Sequence, residues 1–213
     1  MTWYMGRNYK KYIGFLQGRK TETEEFMHEG KVSAAEALEK LKEGNKRYIT
    51  SETNPGDVSL KIRQFTYENG QSPYAVVIAC SDSRVIPESI FSAGIGELFV
   101  IRVAGNVMDN HQLGSVEYAA EHLGCRLVLV LGHERCGTVG AALQGPQEGF
   151  VKYITDEIGK AVGEEKDEWR ASCLNVKRSV SLIKDRLKIG EKDDLKVCGA
   201  VYRIGSGEVE FLD

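Results

Sequence analysis

Leu127-Val128-Leu129-Val130-Leu131-Gly132-His133-Glu134-Arg135-Cys136-Gly137 passes from five continuous apolar residues directly into an imidazole, two charges and a thiol. A short uninterrupted apolar run is expected of a strand covered on both faces of a parallel sheet. Groups that end such a strand lie at the carboxyl edge of the sheet, where α/β folds gather their ligands. A second stretch has the same form: Tyr74-Ala75-Val76-Val77-Ile78-Ala79 leads into Cys80-Ser81-Asp82-Ser83-Arg84. A third apolar run, Leu98 to Val103, reads as another strand of the same sheet. Two thiols and an imidazole are therefore expected at neighbouring strand ends.

That set suits zinc, which takes Cys and His in tetrahedral geometry and in catalytic sites keeps one position for water. Asp82, two residues from Cys80 and two from Arg84, could fill the fourth position or manage the water that does. A structural zinc ribbon would want paired Cys-x-x-Cys knuckles, and the chain has none. A thiol nucleophile with a His base would leave the second Cys and the Asp-Arg pair unused. Cys125, Cys173 and Cys198 read as small apolar residues.

Outward from these motifs, strands alternate with helical patterns, which predicts an α/β fold: a central, mostly parallel sheet flanked by helices. Ser33 and Glu36 form a capping box before Ala37, Leu38, Leu41 and Tyr48, predicting a helix over about 34–49. Asn54-Pro55-Gly56 reads as a turn. Gly114 to Leu123 carries Val116, Ala119, Ala120 and Leu123 on one face and stops at Gly124. After Gly149 a long helical region follows, with a break expected near Gly163 or Ala171 and an end at Gly190; Val176, Val180, Ile183 and Leu187 mark its amphipathic second half. Lys196 to Ile204, Gly205-Ser206-Gly207 and Glu208 to Leu212 read as strand, turn and returning strand. Residues 1–32 read as an N-terminal extension or helical arm, and 33–213 as a single catalytic domain.

The chain has 213 residues, a formal charge of -3 and a pI near 5.9. Its basic residues are dispersed among acids, so no nucleic-acid partner is expected. No apolar run approaches the roughly 20 residues needed to cross a bilayer, so no membrane partner is expected either. Five cysteines, without a secretory leader pattern, argue for reduced thiols and a cytoplasmic protein.

From Ser33 to Asp213 the chain resembles the β-class carbonic anhydrases. The likeness is carried by Gln71-Ser72-Pro73, Cys80-Ser81-Asp82-Ser83-Arg84-Val85, Arg102-Val103-Ala104-Gly105-Asn106, Gly114-Ser115-Val116-Glu117-Tyr118, Gly132-His133 through Cys136-Gly137, and the ending Gly199-Ala200-Val201-Tyr202 to Phe211-Leu212. The resemblance implies one zinc per chain on Cys80, His133 and Cys136, with Asp82 and Arg84 as a catalytic dyad. It implies a Gln71 amide and a Gly137 N–H on the substrate, and Phe99 and Tyr118 as walls of an apolar cleft at a subunit interface. It also implies a homodimer or a dimer of dimers.

The activity implied is reversible hydration of carbon dioxide to bicarbonate and a proton through zinc-bound hydroxide, favoured at alkaline pH because two thiolates neutralise much of the metal's charge. Hydrolysis of carbon disulfide or carbonyl sulfide is a rival on the same fold, and an inactive metal-binding module is a rival of another class. A family subset inhibited by bicarbonate carries Trp where this chain has Val77, so that inhibition is not expected. For the proton that leaves on each turnover, His122 is the candidate shuttle, four residues after Tyr118 on one helix face. His28 and His111 are weaker candidates.

Overall fold

The computed structural model describes residues 32–188 and 194–212. The N-terminal arm, apart from Val32, and Gly190 lie outside these residues; the helix expected to end at Gly190 stops earlier, at Arg186.

Helix α1 (Ala34–Thr50) starts on the expected capping box: Glu36 N–H donates to Ser33 Oγ and Ser33 N–H to Glu36 Oε2. Helix α2 (Leu60–Asn69) follows the Asn54-Pro55-Gly56 turn, in which Gly56 N–H donates to Asn54 Oδ1. Then come β1 (Ala75–Ala79), the short α3 (Pro87–Ile90), β2 (Leu98–Arg102) and a 3-10 turn at Ala104–Asn106. They are followed by α4 (Asn110–His122), β3 (Leu127–His133), α5 (Gly137–Leu143), α6 (Val151–Val162), α7 (Glu168–Arg186), β4 (Lys196–Tyr202) and β5 (Val209–Leu212).

The sheet order is β2-β1-β3-β4-β5, parallel except for the antiparallel β4–β5 pair. Alternate residues face opposite sides. Val77, Leu129 and Leu131 pack with Ala37 and Leu41 of α1. Val76, Ile78, Val128 and Val130 pack with Val116 of α4 and Val176 and Ile183 of α7. Coverage on both faces explains the unbroken apolar runs of β1 and β3, every residue of which is buried. From β1 the chain crosses to β2 on one side, then returns past β1 to β3 on the other. Strand order thus reverses between β1 and β3, and a crevice opens at their carboxyl ends. Both metal-motif stretches lead into that crevice.

Several boundaries differ from expectation. β3 runs on to His133, because its ladder with β4 continues through the pairs Gly132–Val201 and His133–Tyr202. Helix α4 begins four residues before Gly114, on a second capping box in which Asp109 and Gln112 exchange hydrogen bonds. Helix α2 was not expected, and none of its residues is buried, so it has no apolar stripe to betray it. The break after Val162 falls at Gly163, whose φ of 56° closes α6; Ala171 lies buried inside α7. A Cβ on Gly132 or Gly199 would come within 2.6 or 2.5 Å of Val176, so these glycines let α7 sit low on the sheet above the crevice.

Candidate metal centre

Cys80 follows β1 directly, His133 ends β3, and Cys136 precedes the first residue of α5. The turn between the last two passes through Arg135 in a left-handed conformation, φ 52°. All three side chains are buried, at 5, 1 and 6 % exposure, and one ligand atom of each lies within 4.8 Å of the other two.

The imidazole is oriented from behind. Its Nδ1 donates to the Glu134 carbonyl at 2.9 Å, since a carbonyl can only accept, and this leaves Nε2 as the ligand nitrogen. Among the described residues Nε2 is buried without a hydrogen-bond partner. A buried polar atom left in this state is costly, and a cation beside two thiols would satisfy it. The donor set therefore fits zinc. Sharing a proton across the thiol pair pushes Cys80 far above its ordinary value and draws Cys136 down to about 3.

The loop after Cys80 is held at several points. Asp82 Oδ1 accepts from Arg84 N at 3.0 Å and Nε at 2.9 Å, and Oδ2 accepts from Nη2 at 2.7 Å. This bidentate pair holds the Asp82 carboxyl well below the usual carboxylate range, with Arg84 as the main cause. Arg84 Nη2 also donates to the Arg135 carbonyl at 3.2 Å, joining the two motif loops. Arg102, at the end of β2, donates to the Cys80 and Asp82 carbonyls at 3.1 and 2.6 Å. Asp82 is not part of the three-ligand group.

The family profile for carbonic anhydrase matches residues 75–209. A carbonic anhydrase of Mycolicibacterium smegmatis is 34 % identical over 192 residues, covering 82 % of this chain and 91 % of that protein. The chain belongs to the β class of the carbonic anhydrase family. The fold agrees with solved β-carbonic anhydrases. One from Aspergillus fumigatus has a TM-score of 0.66 at 28 % identity, covering 72 % of this chain and 81 % of that one. A tetrameric one from Sordaria macrospora has a TM-score of 0.64 at 26 % identity, covering 72 % of this chain and 87 % of that one. The protein is accordingly a zinc-dependent carbonic anhydrase, which interconverts carbon dioxide with bicarbonate and a proton.

In this β-carbonic anhydrase the remaining expected residues do not all gather at the metal centre. Gly137 does, as the exposed first residue of α5 next to Cys136, where helix N–H groups lack intrahelical partners. Phe99 is half-buried on β2, the edge strand, with its ring 6.2 Å from that of Tyr118 on α4. The exposed His122 ring follows at 5.2 Å from Tyr118, so the three form a row along the β2–α4 flank. Gln71 is exposed in the segment entering β1, at the opposite end of that strand from Cys80, and five strand residues set the two ends roughly 13 Å apart. Val77 is buried in the core on the α1 side.

Sequence reasoning assigned no role to Arg102, which holds the Cys80 loop, to Thr138, which meets the Cys136 sulfur, or to Asn175, which holds the turn at Gly105. Arg102 was visible as a charge ending an apolar strand. Thr138, two residues after Cys136, was within local reach of the sulfur it meets, whereas Asn175 has no local signal because its partner is the distant Gly105 carbonyl.

Proposed function

We propose that Cys80, His133 and Cys136 are the zinc ligands of this enzyme, one ion per chain, and that Asp82 and Arg84 are its catalytic dyad. The observation that carries the reading is the buried, partnerless Nε2 of His133 beside two thiols. When bound, zinc supplies hydroxide near neutral pH by acidifying a water. The chain's residues do the rest. Asp82, kept ionised and kept away from the ligand group by Arg84, accepts a hydrogen bond from the attacking oxygen and aims it at the carbon of carbon dioxide. Gly137 N–H donates to an oxygen of the bicarbonate that forms, as charge develops there. Phe99, level with Val76 towards the far end of β1 from Cys80, and Tyr118 beside it supply, from a second copy, an apolar wall that admits a small uncharged gas and excludes water. His122, at the outer end of the same ring row, takes the proton to bulk solvent.

Gln71 completes the substrate site only if it comes from a second copy of the chain, since within one chain β1 lies between it and the metal centre. The half-buried edge strand β2 and the exposed aromatic row beside it favour a homodimer formed on this flank, and the tetrameric relative favours a pairing of dimers. Residues 33–213 act as one catalytic domain, with 1–32 as an arm. Five free cysteines favour a reducing, cytoplasmic setting. No helix among the described residues is long and apolar enough to cross a membrane.

The test is stopped-flow hydration of carbon dioxide by zinc-loaded protein across the neutral-to-alkaline range, alongside metal analysis. One zinc per chain and a rate that rises towards alkaline pH are expected. A protein that binds zinc without hydrating carbon dioxide would overturn the catalytic reading.

A further inference from the structure

Each of the two thiols has a hydrogen-bond contact with a group outside the ligand set. Gly105 N–H donates to Cys80 Sγ at 3.3 Å, and Thr138 Oγ1 lies 3.1 Å from Cys136 Sγ. Neither contact is incidental to the fold. Gly105 sits in the 3-10 turn after β2 with φ 69°, a conformation that suits glycine. A Cβ there would come within 2.7 Å of Thr138 Oγ1 and 2.9 Å of Ile158. The turn is wedged against α5 and α6 on that side.

From the other side α7 takes hold of it. Asn175 Nδ2 donates to the Gly105 carbonyl at 2.8 Å, and Ser179 Oγ to the Asn106 carbonyl at 3.2 Å. Asn175 and Ser179 are one helical turn apart and buried at 2 and 4 % exposure, in a face that otherwise carries Val176 and Ile183. Polar side chains in such a face cost stability unless they are bonded, and both bonds go to the turn whose N–H meets Cys80. The low seat of α7 on Gly132 and Gly199 brings them within reach.

We propose that Asn175 and Thr138 are positioning residues that set how strongly the two thiolates donate to the metal: Asn175 by aiming the Gly105 N–H at Cys80, and Thr138 by its hydroxyl on Cys136. A hydrogen bond to a thiolate withdraws electron density from sulfur, so the metal keeps more of its positive charge. Two thiolates would otherwise neutralise a dication in full. Outer partners of this kind tune affinity and electronics at metal sites generally. The proposal rests on the ligand set assigned above.

The test replaces zinc by cobalt(II) and reads the sulfur-to-cobalt charge-transfer band together with metal affinity. Thr138→Val keeps the side chain's shape and removes the hydroxyl; Asn175→Leu keeps its size and removes the donor. Both variants are expected to move the band to longer wavelength and to weaken metal binding about 10-fold. Ser181→Ala, on the exposed side of α7, is expected to leave both unchanged. Thr138→Val leaves the bonds from α7 to the Gly105 turn in place and keeps the test decisive if Asn175→Leu does not fold. A normal band in wild type that stays unshifted in the variants, even with a lowered melting temperature, would reduce both residues to structural roles and overturn the proposal. A wild-type protein with no thiolate band at all would instead overturn the ligand set.

Discussion

The carboxyl ends of β1 and β3 and the flank formed by β2 and α4 are neighbouring parts of one sheet, yet they are finished to different degrees. At the first, Cys80, His133 and Cys136 are buried, their loops are tied by Arg84 and Arg102, and the only unmet demand at the ligand atoms is one imidazole nitrogen. At the second, β2 is half-buried, Tyr118 is 47 % exposed, and Phe99, Tyr118 and His122 form a row open to solvent. The difference teaches that one chain gathers the three candidate ligands by itself, whereas on the proposed reading the substrate cleft is completed by a second copy.

The comparison breaks most severely at a ligand. Cys136→Ser is expected to take zinc from one per chain to near none and to abolish hydration, read by metal analysis and stopped flow; full zinc with full rate would remove Cys136 from the centre. Asp82→Asn separates chemistry from metal binding: zinc should stay while turnover falls about 10²–10⁴-fold, the usual worth of a positioned acid–base group. Phe99→Asp strikes the other region alone. A charge on the edge strand should shift the sedimentation coefficient from dimer to monomer at full zinc content, with turnover down about 100-fold as the cleft comes apart. An active Phe99→Asp monomer would show that the cleft, too, is complete in one chain.

Smaller effects sharpen the contrast. Because Arg84 lowers the Asp82 carboxyl, the pair's contribution to stability is present above the ordinary carboxylate value of about 3.9 and is lost only as pH falls through the lowered one. The carboxyl carbon resonance of Asp82 should therefore stay flat from neutral pH down to about 4. In Arg84→Ala it should titrate near the ordinary value. The smallest effect is expected at the outer end of the row: His122→Ala should lower turnover by less than about 10-fold in dilute buffer, with recovery on adding imidazole, because buffer offers the proton a competing path. A rate unchanged in dilute buffer would take His122 out of the proton path.

Legibility followed the range of the interactions concerned. The strands of the sheet and the cap at Ser33 were readable because apolar continuity and capping act over a few residues. The cap of α4 at Asp109 and Gln112 has the same local form and could have been found, but the apolar face beginning further on drew the boundary to Gly114. Helix α2 could not be seen by periodicity, since nothing in it is buried. Gly163 rather than Ala171 ended α6, because a positive φ there suits glycine, while Ala171 packs in the cluster around the thiols.

The sequence by itself determined the α/β class, and it pointed to the three residues that could hold a metal and to the Asp82–Arg84 pair, because each depends on residues adjacent to a strand end. Tertiary structure alone decided three things. The reversal of strand order between β1 and β3 brought two motifs fifty residues apart to one crevice. Glycines at 132 and 199 lowered α7 until Asn175 could reach the Gly105 carbonyl. The length of β1 placed Gln71 away from Cys80 in the same chain. Spacing along the chain carries local chemistry, but distances between groups on separate elements arise only once the sheet has been ordered and its helices seated.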